Sequence, residues 1–177
     1  IVKGKENIIT DNKFFIASSH QSMFETFFLQ TIFDSPIFIL KKELIRIPIF
    51  GWYLKKIGSI SINRNKVTKD NLGFFEDILK TANSSDRPLI IFPQGTRVLP
   101  DERPSFKKGA TRIYQELNIA CQPVAINSGN VWPKKGTINT HRTITVSILT
   151  HINAGMEKEN FLQNLESKIY NELDLLG

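Results

Sequence analysis

Apolar residues along the chain form two patterns, short continuous runs and longer stretches with helical spacing. Continuous runs begin at Phe14, Ile37 and Leu89, and such runs are typical of strands buried in a parallel sheet. The stretches 68–83 and 156–176 repeat apolar residues every three or four positions, which predicts amphipathic helices. Strands and helices alternate throughout. The sequence therefore predicts an α/β fold with a largely parallel central sheet flanked by helices.

The same pattern, together with turn residues, predicts the bounds of the elements. Residues 1–12 are polar and are predicted to form a short arm. Strands are predicted over 14–18, 37–40, 58–64, 89–92, 120–127 and 143–149, the last as an edge or amphipathic strand. Helices are predicted from Ser22 to near Asp34, before Pro36, and over 68–83, 110–117 and 156–176.

Length and composition limit the class of protein and its partners. The chain has 177 residues, 41% of them hydrophobic, which suits a single domain over 1–177 with a core of its own. Its 23 Lys and Arg against 17 Asp and Glu give a net charge of +6, which favours an anionic partner: nucleic acid, a phosphorylated small molecule or an anionic membrane surface. Cys121 is the only cysteine, so an internal disulfide is excluded. One Cys and three His offer no zinc-binding spacing, and no metal site is predicted.

Two features bear on membranes. The chain begins with Ile1 rather than Met, and no run approaches the roughly 20 apolar residues that span a bilayer. We therefore expect this chain to be a piece of a longer protein, without the N-terminal membrane anchor of that parent protein. Segment 41–58 interleaves Ile, Phe, Trp, Tyr and Leu side chains with Lys and Arg. This pattern suits a membrane interface and equally a short core helix with a basic, solvated edge, and both interpretations stay open.

The first candidate chemistry lies in the turn after the strand at 14–18. His20 follows this strand, and Glu25 comes five residues later, at the start of the predicted helix. Ser22 and Glu25 also have the spacing of a capping box. A His beside a carboxylate is the minimum arrangement for a general base, because the carboxylate orients the imidazole and stabilises its protonated form. The alternative is that Glu25 only caps the helix.

The second candidate lies after the strand at 89–92. Gly95 lets a backbone approach an anion, Thr96 offers a hydroxyl, and Arg97 can form two hydrogen bonds with a phosphate. Arg64 ends another predicted strand, and the ends of parallel strands meet at one edge of a sheet. The alternative for each Arg is a surface ion pair. The turn is not a Walker loop, since the second Gly and the Lys-Ser/Thr end are absent.

These residues belong to four ordered blocks. The blocks are His20-x4-Glu25, Gly58-x3-Ile62-x-Arg64, the run Phe-Pro-Gln-Gly-Thr-Arg from Phe92 to Arg97, and Gln122-Pro123-Val124-x2-Asn127. They resemble the blocks of the glycerolipid acyltransferases, most of all the bacterial 1-acylglycerol-3-phosphate acyltransferases. The connecting sequence is also similar, as in Phe106-Lys107-x-Gly109 after the third block. The resemblance covers about residues 13–150.

The resemblance implies a reaction and its partners. A fatty acyl group would pass from acyl-CoA or acyl-carrier protein, as co-substrate and without a cofactor, to the free hydroxyl of a lysophospholipid acceptor. The product would be phosphatidic acid, made at the cytoplasmic face of the inner membrane. His20 would act as general base and Glu25 would orient it. Substrate-binding residues would be Arg64, Gln94, Gly95, Thr96, Arg97 and Lys107.

Two departures from the usual family pattern leave the acceptor open. Glu25 stands where the first block usually ends in Asp, and Gln94 stands where the third block usually has Glu. The acceptor could be another lyso-lipid, such as a lyso-ornithine lipid. A non-catalytic lipid-binding module is the alternative outside enzymes. A nucleic-acid partner is not expected, because no recognition helix or aromatic platform accompanies the basic charge.

Overall fold

The structure, a computed structural model, describes residues 1–11, 13–62 and 70–177. Its elements in chain order are β1 (Val2–Lys3), β2 (Phe14–Ser18), α1 (Phe24–Ile32), β3 (Ile37–Lys41), α2 (Phe50–Lys56), β4 (Ile60–Ile62), α3 (Asp70–Ser84), β5 (Leu89–Ile91), α4 (Gly109–Leu117), β6 (Ala120–Ile126), β7 (Val146–Ile148) and α5 (Lys158–Leu176). Short 3-10 helices cover Lys5–Asn7, Lys42–Arg46 and Ser128–Asn130.

Within these residues, seven strands form one sheet in the order β1-β7-β6-β2-β5-β3-β4. The strands from β6 to β4 are parallel, whereas β7 runs antiparallel to β6 and pairs in parallel with β1. Strand β2 lies between β5 and β6 and pairs with both. The carboxyl ends of these three strands therefore lie side by side, at the edge where α/β proteins place their ligands.

Hydrophobic layers cover both faces of the sheet. Along β2, Phe15 and Ala17 pack against the layer formed with α3, α4 and α5, and Ile16 packs on the opposite face with residues of α1 and α2. All three side chains are fully buried, which explains why this strand is a continuous apolar run. Helix α5 contributes a stripe of buried residues at helical spacing: Phe161, Leu165, Ile169 and Leu173.

The predicted α/β class is confirmed, and several predicted elements differ from those found. The predicted polar arm at 1–12 contains β1, which pairs with β7, so β7 is not an edge strand. A two-residue strand is too short to show an alternating pattern. The strand predicted over 143–149 is found only at 146–148. Helix α1 begins at Phe24 rather than Ser22, and the backbone N–H groups of Gln21 and Ser22 before it donate to the Glu25 carboxylate.

Three of the sequence predictions do not concern the sheet. Arg64, a predicted phosphate-binding residue, lies outside the described residues. Within the part of the chain that the structure describes, no helix is both long and apolar enough to cross a membrane. In the same residues, no three His, Cys, Asp or Glu side chains come together in a way that could hold a metal ion.

Candidate active site

The turns after β2 and β5 hold each other in place. The backbone N–H of His20 donates to Oε1 of Gln94 at 2.7 Å, and the backbone N–H of Val98 donates to the carbonyl of His20 at 3.0 Å. The turn after β5 thus fixes the main chain of His20 on both sides. This contact follows from the topology, because β2 and β5 are neighbouring parallel strands.

The His20 ring is held between an aromatic face and a carboxylate. It stacks on Phe92, with ring centroids 4.0 Å apart and the planes 17° from parallel. Its Nδ1 lies 3.6 Å from Oε2 of Glu25, which is within ion-pair range and slightly beyond hydrogen-bond range. The His20 side chain is 18% exposed, and the ring lines a cavity. The predicted pair is therefore present, with the imidazole reachable from the cavity.

Glu25 is fully buried and is surrounded by hydrogen-bond donors. Its carboxylate accepts from the backbone N–H groups of Gln21 at 3.0 Å and Ser22 at 3.1 Å, and from the hydroxyl of Ser128. The Ser22 hydroxyl in turn accepts from the N–H of Phe24 at 3.2 Å. These bonds match the predicted capping box in part. The two interpretations of Glu25 were not exclusive, because one carboxylate caps the helix and also faces His20.

Ser128 is the residue of this site that sequence reasoning missed. It lies in the 3-10 helix directly after β6 and follows Asn127, the last residue of the fourth block. The carboxyl end of β6 adjoins that of β2, so the rule that predicted the other turns also applied here. Glu25 and Ser128 are distant in sequence, and no local pattern links them.

The Gly95–Arg97 turn lines the mouth of the cavity. Gly95 has φ 77°, a left-handed conformation that suits glycine. Thr96 is exposed and Arg97 is partly buried. Lys134, from the loop after β6, lines the same mouth and donates to the carbonyl of Arg97 at 3.4 Å. Sequence reasoning missed Lys134 as well.

Two other predicted substrate-binding residues lie elsewhere. Gln94 is 2% exposed, and its carbonyl oxygen is bonded to the backbone of His20, so it supports the turn rather than facing the cavity. Lys107 is exposed and does not line the cavity within the described residues; its backbone N–H donates to the carbonyl of Pro93 at 2.8 Å. Neither placement tests a role with substrate present.

The cavity has a volume of about 700 Å³ and is mostly apolar. Its walls come from α1, β3, the 3-10 helix at 42–46 and α2, and include Phe27, Leu40, Leu44, Phe50 and Leu54. In the described part of the chain, no Asp or Glu lines it. The polar and cationic residues that line it are His20, Thr26, Thr96, Arg97 and Lys134. The site therefore combines a mostly apolar interior with a positively charged entrance, which fits a ligand with an apolar tail and an anionic head.

Cys121 offers no nucleophile at this site. It is fully buried in β6, and burial raises the pKa of its thiol well above the usual range, because the thiolate cannot be solvated there.

Known proteins are similar to this chain in sequence. The acyltransferase family profile matches residues 1–127. A protein of Pseudomonas aeruginosa named 1-acyl-sn-glycerol-3-phosphate acyltransferase is 35% identical over 150 residues, which cover 83% of this chain and 56% of that protein. One of the same name from Helicobacter pylori is 36% identical over 123 residues, covering 68% of this chain and 51% of that protein.

A solved structure has the same fold. The crystal structure of the 1-acyl-sn-glycerophosphate (LPA) acyltransferase PlsC from Thermotoga maritima matches 99% of this chain and 71% of that chain, with a TM-score of 0.83 and 23% sequence identity. The fold and site define an α/β protein with a His–carboxylate pair beside a mostly apolar cavity, with the His20 ring in the cavity wall. The chain belongs to the acyltransferase family. It spans about half the length of the curated relatives it matches.

Proposed function

We propose that this chain is the acyltransferase domain of a 1-acylglycerol-3-phosphate acyltransferase. The reaction moves a fatty acyl group from acyl-CoA or acyl-carrier protein to the free hydroxyl of the acceptor and yields phosphatidic acid. The observation that carries the proposal is the His20–Glu25 pair beside an apolar cavity whose mouth also holds Arg97. The names of the relatives support this acceptor.

The proposed mechanism uses His20 as general base. Its imidazole takes the hydroxyl proton of the acceptor as the hydroxyl oxygen attacks the thioester carbonyl. The C–O bond forms, the C–S bond breaks, and the leaving thiolate receives the proton from the imidazolium. The buried Glu25 carboxylate stabilises the imidazolium between these two transfers. No residue of the chain is acylated, in keeping with the burial of Cys121.

The acceptor phosphate is proposed to bind at the cationic mouth of the cavity. The Arg97 guanidinium and the Thr96 hydroxyl supply donors there, and Lys134 adds a second positive charge. Arg64 remains a proposed phosphate ligand and Lys107 a proposed substrate-binding residue, both on the strength of the family resemblance. The acyl chain of a substrate would occupy the apolar interior, where burial of each methylene contributes about 0.8 kcal/mol.

The test is thiol release from a long-chain acyl-CoA with and without detergent-dispersed lysophosphatidic acid. A thiol reagent suits this protein, because its only cysteine is buried and adds little background. Acceptor-dependent release with phosphatidic acid as product would support the proposal. Thiol release at the same rate with and without the acceptor would indicate a thioesterase. Release only with a different lyso-lipid would move the proposal to that acceptor. Liposome binding with no release from acyl-CoA or acyl-carrier protein would favour a non-catalytic lipid-binding module.

Charge at the cavity mouth should control the affinity for the acceptor. We expect Arg97→Ala to raise the KM for lysophosphatidic acid about tenfold, because a charge-assisted hydrogen bond to phosphate contributes about 1.5–3 kcal/mol. Lys134→Ala should raise it about fivefold, as is usual for a solvent-screened cation worth about 1 kcal/mol. Lys135→Ala is the matched control, since Lys135 is exposed but does not line the cavity within the described residues. Equal KM values for all three variants would contradict the assignment of the phosphate site.

The proposed membrane surface lies beside the same mouth. Ile49 and Trp52 are 82% and 79% exposed, and Phe27 and Ile47 are both exposed and part of the cavity wall. The cations Arg46, Lys55 and Lys56 are exposed in the same segment. Apolar side chains ringed by cations suit an anionic bilayer surface, and a lipid tail could pass from bilayer to cavity. We propose that this surface rests on the cytoplasmic face of the inner membrane.

The Trp52 side chain should contribute much of the free energy of binding to vesicles. Removing an interfacial Trp loses about 2 kcal/mol of apolar burial, so we expect Trp52→Ala to weaken binding to anionic vesicles about thirtyfold. Trp132 is the only other tryptophan, and Trp132→Ala should bind as the unchanged protein does. Binding can be followed by sedimentation with vesicles. Identical loss in both variants, or none in either, would contradict the surface proposed.

A further inference from the structure

Ser128 and Glu25 form a buried contact between two distant parts of the chain. The Ser128 hydroxyl donates to Oε1 of Glu25, and both side chains are fully buried. A second bond ties the same two turns together, since the N–H of Gly129 donates to Oε1 of Gln21 at 3.0 Å. A Cβ on Gly129 would lie only 2.9 Å from Cβ of Gln21, so the turns approach more closely than an alanine at this position would allow. The end of β6 thus supports the turn that carries His20.

The two oxygens of the Glu25 carboxylate have different neighbours. Oε1 accepts from the N–H groups of Gln21 and Ser22 and from the hydroxyl of Ser128. Oε2 shares the N–H of Ser22 with Oε1 and lies 3.6 Å from Nδ1 of His20. The Ser128 hydroxyl therefore bonds to the oxygen away from the imidazole, where it adds a side-chain constraint to the plane of the carboxylate and helps to keep Oε2 toward the imidazole.

Other buried serines at this end of the sheet bond differently. The Ser18 hydroxyl donates to the carbonyl of Ser19 at 3.0 Å, and the Ser19 hydroxyl donates to the carbonyl of Ile126 at 3.2 Å. Each of these two buried hydroxyl groups therefore donates to a main-chain carbonyl. The Ser128 hydroxyl instead donates to the carboxylate of Glu25, which faces the proposed base, His20.

We propose that Ser128 is a positioning residue of the acyl transfer reaction, which acts through Glu25 to hold His20 in the tautomer that can accept a proton at Nε2. This inference rests on the proposed function, but the effect of Ser128 on the His20 tautomer can be measured without turnover. A carboxylate oxygen held beside Nδ1 favours the proton on Nδ1 and leaves Nε2 as the free base. Glu has one more rotatable bond than the Asp usual at this place in the family, so a fixed carboxylate plane matters more here.

The kinetic test compares Ser128→Ala with Ser147→Ala. Ser147 is also a buried serine that donates to a carboxylate, Glu172 at 2.6 Å, but it lies in β7 away from the cavity. Both variants should lose some thermal stability. We expect kcat to fall about tenfold or more in Ser128→Ala with little change in KM, whereas Ser147→Ala should keep kcat. A kcat for Ser128→Ala equal to that of Ser147→Ala would overturn the proposal.

A double-mutant cycle separates action through Glu25 from general destabilisation. If Ser128 acts through the carboxylate, Ser128→Ala should change kcat less than twofold in a Glu25→Ala background. A tenfold further loss in that background would contradict the proposal. Ser128→Thr retains the hydroxyl and should recover most of kcat, provided that thermal unfolding shows its extra methyl group is accommodated.

A spectroscopic test does not depend on turnover. The chain has three histidines, so the imidazole ¹⁵N signals of His20 can be assigned by comparison with His20→Gln. The unchanged protein should show mainly the tautomer with the proton on Nδ1, and Ser128→Ala should show a mixture. The same tautomer in both would overturn the proposal even if the chain proved to be a lipid-binding module. A tautomer change without any acyl transfer would support the positioning role and count against the proposed enzyme.

Discussion

His20→Ala should lower kcat for acceptor-dependent acyl transfer by about a thousandfold while leaving the fold intact. General-base catalysis by a positioned side chain contributes about 10²–10⁴-fold, and His20 is the group at the cavity wall that could take the hydroxyl proton. Lysophosphatidic acid should still bind, since Arg97 and Lys134 remain at the mouth. The loss should therefore appear in kcat rather than in KM. Steady-state thiol release and product analysis measure both quantities.

The fold of this variant can be checked separately. His20 contributes ring stacking on Phe92, and its main-chain bonds to Gln94 and Val98 do not need the imidazole. Removing the ring should cost about 1 kcal/mol of stability, which thermal unfolding can resolve. His141→Ala and His151→Ala are matched controls, because both residues are exposed and lie outside the cavity wall. A folded His20→Ala protein with more than a tenth of the original kcat would rule out His20 as the base.

The sequence predicted the part of the site that lies on strand ends. His20 follows β2 and the Gly95–Arg97 turn follows β5, and parallel strands bring their carboxyl ends together without further information. Glu25 could be placed near His20 because the two are close in sequence. These predictions needed only the apolar runs and the polar residues that end them.

The remaining parts depend on packing that no local pattern shows. Ser128 and Lys134 reach the site from the loops after β6, and their partners are distant in sequence. The Gln94 side chain turns inward to His20, and a turn sequence does not determine which side chains face the cavity. The cavity arises where α1, β3 and α2 meet, so its volume follows from tertiary packing rather than from any one of these elements.

Glu25→Gln should lower kcat by about a hundredfold or more and should also destabilise the fold, although it removes a buried charge. Replacing a buried charge with a neutral group can stabilise a protein, because the desolvation cost disappears. At Glu25 we expect the opposite, because of the hydrogen-bond donors around the carboxylate. Its oxygens accept from two backbone N–H groups and from the Ser128 hydroxyl, all of which are donors. A glutamine amide would turn its NH2 group toward at least one of those donors.

The expected cost follows from the hydrogen bonds lost. A hydrogen bond to a charged group contributes about 1.5–3 kcal/mol, and a buried donor left without a partner costs about 1–3 kcal/mol, so we expect Glu25→Gln to lower the free energy of unfolding by about 2 kcal/mol. Glu25→Asp is the matched variant, since it keeps the charge and shortens the side chain by one methylene. It should retain more activity than Glu25→Gln, because a carboxylate can still stabilise the imidazolium. Urea unfolding and steady-state kinetics on both variants measure the two effects. If Glu25→Gln kept full kcat with unchanged stability, the carboxylate would be neither the partner of His20 nor the acceptor that joins the turns after β2 and β6.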